Sequence, residues 1–450
     1  MKPYLICIIS LIMVACALVS CDEDVTPQPV DVLSEKMFGG SGHEAVNAMQ
    51  ETPDGGFIVC GSSDSDDVEG VVNHGGRDYY ILKLNVHLEI EWQKMYGGTG
   101  HDSCRSILQP AGGGYLVGGT TRSTDIIGGE SPIARNWFLK LDDSGNVEWE
   151  QMADYTEGNL FATDDGGYVF LDSRQNTRPE DPNYGSYDIY LLKLDSQFHP
   201  QWEKTYGTPD TEHAVLVQQT DDGGFIIGGR HIVGNWEENA DFYLVKIDAL
   251  GNVAWEKIHG GPETDWLFAL EQTNDGGYVA AGYTRIFRMS NGVPFSQDWD
   301  AYVVKMDDKG NVAWTKTTGG SKDDQIFSIC QTPDGGFIAT GESMSTDIVD
   351  APNIGGMNDY YVLRVDAHGN IRWQQMYGGA KTRYDWHCTP KNSLCLYIRV
   401  DSYEYSNQVL NTSDGGFVVA GNSDSGDIWG VTNNGEKDYY IIKLGNERLP

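Results

Sequence analysis

Aromatic side chains that stand outside the regular pattern of this sequence are its best candidates for recognition chemistry. Five tryptophans and one tyrosine fall in irregular segments: Trp236, Trp266, Trp299, Tyr384, Trp386 and Trp429. The flat apolar face of an indole stacks on sugar rings, and large aromatic rings also anchor protein partners. The alternative is that each ring only packs its own loop. The residue types therefore predict a binding surface for a glycan or for a partner protein.

Carboxylates are the second group with chemical potential, because paired acids hydrolyse glycosidic bonds. The chain has 66 acidic residues, yet no pair stands out, since a catalytic pair is defined by its distance in space. The G-x-S-x-G, H-E-x-x-H, P-loop and G-x-G-x-x-G motifs are absent from the sequence. No catalytic residue is assigned, and an enzyme is kept as the alternative class.

An acidic loop is the one weak metal candidate in the sequence. Asp64, Asp66 and Asp67 lie in Ser-Asp-Ser-Asp-Asp-Val-Glu-Gly, and the segment 423–427 echoes it. Neither segment has the D-x-[DN]-x-[DN]-G spacing with a distal glutamate that is typical of a calcium loop. The ten histidines are scattered, with no pair at metal-ligand spacing. We therefore expect a solvated acidic loop and no cofactor, with calcium as the weak alternative.

The overall charge excludes two classes of partner. The 450 residues carry 66 acidic and 31 basic side chains, a formal net charge of −35. Nucleic-acid binding depends on a Lys/Arg surface that releases counterions from phosphates, and anionic lipid headgroups need a basic patch. We therefore expect no nucleic-acid partner and no electrostatic docking on a membrane. The apolar fraction of 40% argues against a disordered polyanion.

An internal repeat must position all of these residues. Each unit reads Thr-x-Asp-Gly-Gly, an apolar strand, a variable loop, Asp-Tyr-Tyr-hydrophobic-Lys-Leu-Asp and Gly-Asn-x-x-Trp. The turn glycine recurs at Gly55, Gly113, Gly166, Gly223, Gly276, Gly335 and Gly415. The tryptophan recurs at Trp92, Trp149, Trp202, Trp255, Trp314 and Trp373. Four strands per unit at this period predict an all-β fold, a seven-bladed β-propeller with four antiparallel strands per blade.

The ends of the repeat predict how the ring closes. The last unit stops after its third strand, whereas residues 32–38 precede the first Gly-Gly and align with a fourth strand. We therefore expect residues 32–38 to complete blade seven, which removes the exposed edges of a linear array. The single domain then spans 32–450, with an insertion at about 383–407. Cys388 and Cys395 inside that insertion are candidates for a disulfide in an oxidising exterior.

Unequal spacing within the repeat predicts which face of the propeller varies. Nine residues separate the basic residue of the third strand from the tryptophan in all six complete units. By contrast, 23 to 29 residues separate the turn glycine from that basic residue. In an up-and-down blade, the loop between the second and third strands and the loop between blades emerge on one face. We call it the variable face and expect ligand recognition there.

The repeat resembles one that is common in secreted and surface proteins of Bacteroidetes. The resemblance lies in the Asp-Gly-Gly-Phe/Tyr-Ile-Val-x-Gly and Gly-Asn-x-x-Trp-x-Lys-x-Tyr-Gly-Gly pattern, over essentially residues 37–444. The Asp-x-x-Gly-Asn-Val-x-Trp piece is also similar, with one residue fewer, to the tryptophan-docking repeat of quinoprotein-type and outer-membrane-assembly propellers. These resemblances imply the propeller fold and no common chemistry, because one scaffold hosts unrelated functions.

The first residues predict a lipid anchor. Residues 1–21 read as a signal peptide, with Lys2 followed by an apolar stretch too short to span a membrane. Its end, Leu-Val-Ser-Cys, resembles the lipobox of bacterial lipoproteins, which implies cleavage before Cys21 and its acylation. The acidic run 22–24 directly after this cysteine resembles the surface-export tag of Bacteroidetes lipoproteins, and the proline-containing stretch that completes residues 22–31 predicts a short extended tether. The resemblance implies a lipid-anchored outer-membrane protein that faces the cell exterior.

Together these features predict a non-catalytic surface lipoprotein that binds a glycan or an outer-membrane or surface protein. One alternative is a polysaccharide hydrolase or lyase with carboxylates at the mouth of the propeller channel. A further alternative, by analogy with the tryptophan-docking propellers, is a factor in outer-membrane assembly. Converging loop aromatics favour the glycan, whereas a broad apolar patch favours the protein partner.

Overall fold

The structure is a computed structural model that describes residues 30–447 apart from several short segments. These segments are 111, 129–133, 154–157, 176–185, 235–238, 291–292, 356, 380–382, 389–394, 401–403 and 429–430. For 153, 288–290, 293–296, 383–388 and 395–400, the backbone alone is described. The described residues are nearly all β-structure, with a single short helix, α1 (Thr124–Ile127).

The strands form seven four-stranded antiparallel sheets within the described residues, as the repeat predicts. The first strand of the chain is β1 (Val30–Phe38). Blade 1 contains β2 (Glu44–Glu51), β3 (Phe57–Ser63), β4 (Asp78–Leu84) and β5 (Ile90–Tyr96). Blade 2 contains β6 (Asp102–Leu108), β7 (Tyr115–Thr121), β8 (Arg135–Leu141) and β9 (Val147–Ala153). Blade 3 contains β10 (Asn159–Ala162), β11 (Tyr168–Gln175), β12 (Tyr187–Leu194) and β13 (Pro200–Tyr206).

The remaining blades follow in chain order. Blade 4 contains β14 (Thr211–Gln219), β15 (Phe225–Ile232), β16 (Ala240–Ile247) and β17 (Val253–His259). Blade 5 contains β18 (Asp265–Gln272), β19 (Tyr278–Ser290), β20 (Val293–Met306) and β21 (Val312–Thr318). Blade 6 contains β22 (Asp324–Gln331), β23 (Phe337–Ser343), β24 (Asp359–Val365) and β25 (Ile371–Tyr377). A separate hairpin, β26 (Arg383–Cys388) and β27 (Cys395–Val400), precedes β28 (Glu404–Asn411), β29 (Phe417–Ser423) and β30 (Asp438–Glu447) of blade 7.

The two ends of the chain close the ring, as predicted. Strand β1 pairs antiparallel with β30, with Lys36 opposite Ile441 and Phe38 opposite Tyr439. The blade 7 sheet therefore has the order β1-β30-β29-β28. The strand begins at Val30, so it includes the last two residues of the predicted tether. Ring closure satisfies the hydrogen-bonding edge that β30 would otherwise expose.

The hydrophobic core lies between the blades. One cluster joins Ile58 and Ile81 of blade 1 to Val117 and Leu139 of blade 2. Cys60 and Cys104 are buried as free thiols in the same cluster. The repeat tryptophans lie further out, where the Trp255 indole donates a hydrogen bond to the carbonyl of Asp308 in the next blade at 3.1 Å. Each blade therefore depends on its neighbour for its apolar cover.

The basic residue of the third strand secures the Asp-Gly-Gly turn in every blade. Lys246, for example, is almost fully buried, and its Nζ lies 2.8 Å from a carboxylate oxygen of Asp222. The same ion pair recurs at Lys83–Asp54, Lys193–Asp165, Lys305–Asp275, Arg364–Asp334 and Lys443–Asp414. In blade 2, where the turn has no aspartate, Lys140 donates to the carbonyl of Gly113 at 2.7 Å.

The Asp222→Asn substitution should destabilise the protein by about 1–3 kcal/mol, because it leaves the buried Lys246 ammonium without its anion. Chemical unfolding followed by tryptophan fluorescence measures the change. Asp221→Asn is the matched control, since Asp221 lies in the same turn and is exposed. Equal stability of both variants would contradict the role given to the ion pair.

Candidate functional site

Six innermost strands contain a β-bulge at the equivalent position, and the residue at the bulge differs from blade to blade. The register shifts at one residue near the variable-face end of six inner strands. The residues at the bulge are Asn47, Arg105, Val215, Phe268, Phe327 and Asn407. All six line the central channel, a cavity of about 770 Å³. A bulge redirects a side chain out of the regular alternation, and here it gives each blade a non-equivalent residue at the channel wall.

A cup opens where this channel reaches the variable face. The cup has a volume of about 530 Å³, and it is lined by Asn47, Phe268, Phe327, Glu342, Tyr405 and Asn407. Its residues come from blades 5, 6, 7 and 1, at the starts of inner strands and at the end of β23. Phe268 and Phe327 meet edge to face, with ring centroids 5.2 Å apart. The cup therefore combines three aromatic rings with two amides and one carboxylate.

Hydrogen bonds within and between blades hold the polar groups of the cup in place. The Asn407 amide nitrogen donates to the carbonyl of Val46 at 2.5 Å, and that of Asn47 donates to Cys104 at 2.6 Å. Asn358 donates to a Glu342 carboxylate oxygen at 2.6 Å. These bonds fix the side chains in advance of any ligand, which lowers the entropy cost of binding.

Burial and neighbouring charges shift the pKa of the carboxyl group in the cup. Desolvation by burial raises the pKa of Glu342, although the hydrogen bond from Asn358 opposes this effect. The Lys437 ammonium lies over the Tyr405 ring, 4.9 Å from its centroid, and also lowers the pKa of Glu342. A carboxylate with a raised pKa in a cleft is a typical mark of a functional site.

The predicted tryptophans of blade 5 form an aromatic ladder beside the cup. The Trp266 ring stacks on Tyr283 with centroids 5.8 Å apart, and Tyr283 meets Trp299 edge to face at 4.9 Å. Guanidinium groups cap the ladder, with Arg230 lying 4.1 Å from the Trp266 centroid and Arg285 lying 4.8 Å from that of Trp299. These contacts agree with the alternative in which the rings pack locally. Through Phe268, which contacts both Trp266 and Tyr283, the ladder supports the wall of the cup.

The other predicted aromatic residues cannot be assigned to this site, because their side chains lie outside the described part of the chain. Trp236 and Trp429 lie outside the described residues. Tyr384 and Trp386 belong to β26, for which the backbone alone is described. Cys388 and Cys395 face each other in the register of the β26–β27 hairpin, and their side chains also lie outside the description. The binding role of these residues and the disulfide stay predictions.

The acidic loop of blade 1 makes structural hydrogen bonds. Asp64 accepts one from the backbone N–H of His43 at 2.6 Å, and Asp67 accepts one from Ser41 at 2.7 Å. Asp66 is exposed. Among the described residues, no group of three or more His, Cys, Asp or Glu side chains is arranged to hold a metal ion. The loop therefore secures the connection between blades 7 and 1.

Several buried carboxyls should make the protein more stable in mild acid than at neutral pH. Desolvation raises the pKa of Asp359, Asp438 and Glu271 to about 7. Since unfolded carboxyls titrate near pH 4, the folded state holds extra protons between about pH 4 and pH 7, and stability falls as the pH rises through this window. The aspartates of the turn ion pairs have the opposite sign, because their pKa of about 2 adds stability that is lost below about pH 4.

We therefore expect the midpoint of thermal unfolding to peak near about pH 4–5 and to fall by several degrees toward about pH 8. Differential scanning calorimetry across this range measures the profile. A midpoint that rises steadily from pH 5 to pH 8 would contradict the protonation of the buried carboxyls.

The bulge residues were not predicted from the sequence, although it carries a signal for them. The inner strands are otherwise similar, with a buried apolar residue two positions beyond the bulge at Met49, Ile107, Val217, Leu270, Ile329 and Val409. Against that constant background, the bulge position alternates between amide, cation, aliphatic and aromatic side chains. The available signal was variation at one position of a strand that is otherwise similar in all units. Only the register shift in the structure turns that position toward the channel.

The known proteins that resemble this chain do so at low sequence identity. No protein-family profile matches the sequence. The regulatory protein FlaEY of Caulobacter vibrioides is 24% identical over 165 residues, which is 33% of this chain and 17% of FlaEY. The chain thus matches less than a fifth of the length of that relative.

Solved structures also resemble the chain at low sequence identity. The WD40 β-propeller domain of Doa1 has a TM-score of 0.47 at 10% identity, covering 93% of this chain and 97% of that domain. The polysaccharide lyase Uly1 also has a TM-score of 0.47, at 11% identity, with 91% and 90% covered. An α-L-arabinanase from Penicillium chrysogenum has a TM-score of 0.41 at 13% identity, with 76% and 92% covered. These similarities concern the fold and carry no chemistry to this chain.

The described part of the chain contains no helix that is long and apolar enough to cross a membrane.

Proposed function

We propose that this protein is a non-catalytic binding protein that recognises a glycan in the cup on its variable face. The cup is the observation that carries the proposal, because it places Phe268, Phe327 and Tyr405 around Asn47, Asn407 and Glu342. Its volume of about 530 Å³ is in the range of small-ligand sites and fits a short segment of sugar chain.

The chemistry of the cup matches that of a sugar ring. The C–H faces of a pyranose are apolar and pack on aromatic rings, whereas its equatorial hydroxyls need hydrogen-bond donors and acceptors around the edge. The Asn47 and Asn407 side chains provide amide groups, and Glu342 adds carboxylate oxygens.

Binding is favoured over hydrolysis because the cup has one carboxylate. Glu342 is the one acidic residue among the described residues that line it. Both common mechanisms of glycoside hydrolysis place two carboxyl groups across the scissile bond, about 5–10 Å apart. Glu342 therefore serves as a hydrogen-bond acceptor in this proposal. A hydrolase or lyase is the alternative, and the experiment below distinguishes cleavage of the glycan from binding alone.

We place this binding activity at the cell surface, with the chain anchored through lipid on Cys21 and spaced from the membrane by residues 22–31. The lipobox resemblance and the acidic tether support this placement. If no glycan binds, the partner would be an outer-membrane or surface protein. A role in outer-membrane assembly would also be consistent with that result.

A glycan-array screen of the full-length chain tests the proposal, with a Phe327→Ala/Tyr405→Ala variant alongside. We expect binding to one glycan class that the variant loses while its circular dichroism and melting curve stay close to those of the unmodified protein. Incubation with the bound glycan, followed by mass spectrometry, should show intact sugar chains. Cleaved chains would establish the enzyme alternative, and binding that survives in the variant would place recognition outside the cup.

A further inference from the structure

The central channel below the cup is enclosed by all seven blades. Its wall contains residues of every inner strand, from Gln50 of blade 1 to Asn411 of blade 7. Four residues line both the channel and the cup, namely Asn47, Phe268, Phe327 and Asn407. The two cavities are therefore continuous. Because the blades surround the channel on all sides, a ligand that passes from the cup into the channel must enter along the axis of the propeller, end first.

Arg105 places a positive charge where the cup meets the channel. It is the one cationic residue among the described residues that line the channel, and it is exposed there. It occupies the bulge of β6, directly after Cys104. The Cys104 carbonyl accepts the hydrogen bond from Asn47, a residue that lines both cavities, at 2.6 Å. The guanidinium is therefore within the part of the channel that a ligand in the cup reaches first.

The one acidic residue that lines the channel lies at its other end. Glu51 is the last residue of β2, close to the Asp-Gly-Gly turns. Its carboxylate accepts hydrogen bonds from the Ser413 N–H at 2.9 Å and from the Ser413 hydroxyl at 2.8 Å. Glu51 thus links blades 1 and 7, whereas Arg105 determines the charge at the cup end of the channel.

The aromatic wall of the cup lies across the channel from this arginine. A ring of seven blades in chain order places blade 2 opposite blades 5 and 6, whose bulges carry Phe268 and Phe327. A sugar that packs on these phenylalanines has its far side toward Arg105. A carboxylate on that side accepts two parallel N–H···O bonds from the guanidinium, which a neutral hydroxymethyl group cannot do.

Two amide oxygens in the channel wall lack a hydrogen-bond donor. Oδ1 of Asn159 and Oδ1 of Asn411 are buried and accept no hydrogen bond from the described residues. The amide nitrogen of Asn411 donates to the Gln331 carbonyl at 2.7 Å, which fixes the orientation of that side chain. A buried acceptor without a donor costs free energy, and the hydroxyls of a sugar in the channel would supply the missing donors.

We propose that the glycan is acidic and binds by one chain end, whose terminal carboxylate pairs with Arg105 in the channel. This inference rests on the proposed glycan-binding function and specifies the class of glycan, a chain that ends in a uronic or sialic acid. The net charge of −35 opposes such binding little, because exposed charges more than about 10 Å apart are largely screened at about 0.1 M salt. At the cup itself, the Lys437 ammonium acts on Glu342 and partly offsets its charge.

Paired oligosaccharides test this proposal with the full-length chain. Each pair consists of a chain that ends in glucuronate, galacturonate or sialate and the same chain after reduction of that carboxyl to an alcohol. In isothermal titration calorimetry at about 0.1 M salt, we expect at least one acidic chain to bind. Its reduced counterpart should bind about 10-fold to 100-fold more weakly, since the charge-assisted hydrogen bonds are lost. One neutral hexose added beyond the acid should weaken binding to a similar extent, because the acid is then no longer terminal.

Variants of Arg105 connect this discrimination to the channel. Arg105→Gln should bind the acidic and the reduced chain equally weakly, whereas Arg105→Lys, which keeps the charge without the two-pronged geometry, should retain part of the preference. Lys309→Gln is the control, because it removes one positive charge from the exposed turn between β20 and β21 on the opposite face. It should bind both chains as the unmodified protein does.

The outcomes separate this inference from the proposed function. Equal binding of acidic and reduced chains, or binding of neutral glycans alone, would overturn the inference and leave the glycan-binding function intact. A preference for the acid that persists in folded Arg105→Gln would overturn it as well, because the acid would then be recognised elsewhere. The comparison within each pair uses the unmodified protein, so it decides the question even if Arg105→Gln folds poorly. Absence of binding to every chain of the panel and of the glycan array would overturn the proposed function itself.

Discussion

Deletion of residues 30–38 should strongly weaken the cooperative folding of the propeller. The deletion removes β1 and leaves the edge of β30 unpaired, from Tyr439 to Leu444. It also removes Phe38, which is buried in the cluster that joins blades 7 and 1. A single large core side chain contributes about 3–5 kcal/mol, and an unpaired strand edge in addition invites association between chains. We expect a lower and broader unfolding transition, together with soluble aggregates in size-exclusion chromatography.

A synthetic peptide of residues 30–38, added in trans, is the specific control for this experiment. The peptide should pair with β30 and restore both the sharp transition and the elution volume of the unmodified protein. A scrambled peptide of the same composition should have no effect, because register decides which side chains face the core. An unchanged melting curve after deletion would show that blades 1 to 7 hold together without the closing strand.

The Phe327→Ala substitution should weaken glycan binding by about 10-fold to 100-fold. Phe327 contributes an aromatic wall of the cup and also supports Phe268 through their edge-to-face contact. Loss of one well-packed aromatic anchor costs about 1.5–3 kcal/mol at a binding site, which corresponds to this range of affinity. Isothermal titration calorimetry with the glycan identified by the array measures the change.

Phe287→Ala is the matched control for the cup, since Phe287 is a phenylalanine of similar type that is 40% exposed and lies on the extended β19–β20 hairpin of blade 5. Its removal should leave affinity unchanged within about twofold. Equal losses in the two variants would indicate a broad contact surface rather than a cup. Unchanged binding in Phe327→Ala would remove the cup from the recognition site.

Repetition is what made the fold predictable from sequence alone. A feature that every unit needs must appear in every unit, and so the turn glycines, the third-strand cations and the docking tryptophans identified seven blades and their strands. The predicted closing strand followed from the same counting, because the last unit lacked a fourth strand and the first residues supplied one. The paired cation and aspartate, such as Lys246 with Asp222, also explain why those two positions recur together.

Recognition was harder to predict, since it depends on the positions at which the units differ. Trp266 and Trp299 stood out as departures from the repeat, and the structure places them in a ladder where ring faces contact Tyr283, Arg230 and Arg285. The cup beside them is built from ordinary strand residues such as Asn47 and Tyr405. Neither their residue type nor their spacing in the sequence distinguishes them from other strand residues. They converge because seven radial blades bring their inner strands to one axis.

The sequence by itself determined the number of blades, the strands of each and the face that varies, because local turn chemistry and the alternation of apolar residues repeat along the chain. Only the tertiary structure decided which side chains share a site. A one-residue bulge turns Phe268, Phe327 and Asn407 to the channel, and the junctions between blades bring acids such as Glu44 and Asp438 together from opposite ends of the chain. The bulge depends on the register between paired strands, and the acid pairs depend on the packing of one blade against the next, so neither contact can be read from a single segment of the sequence.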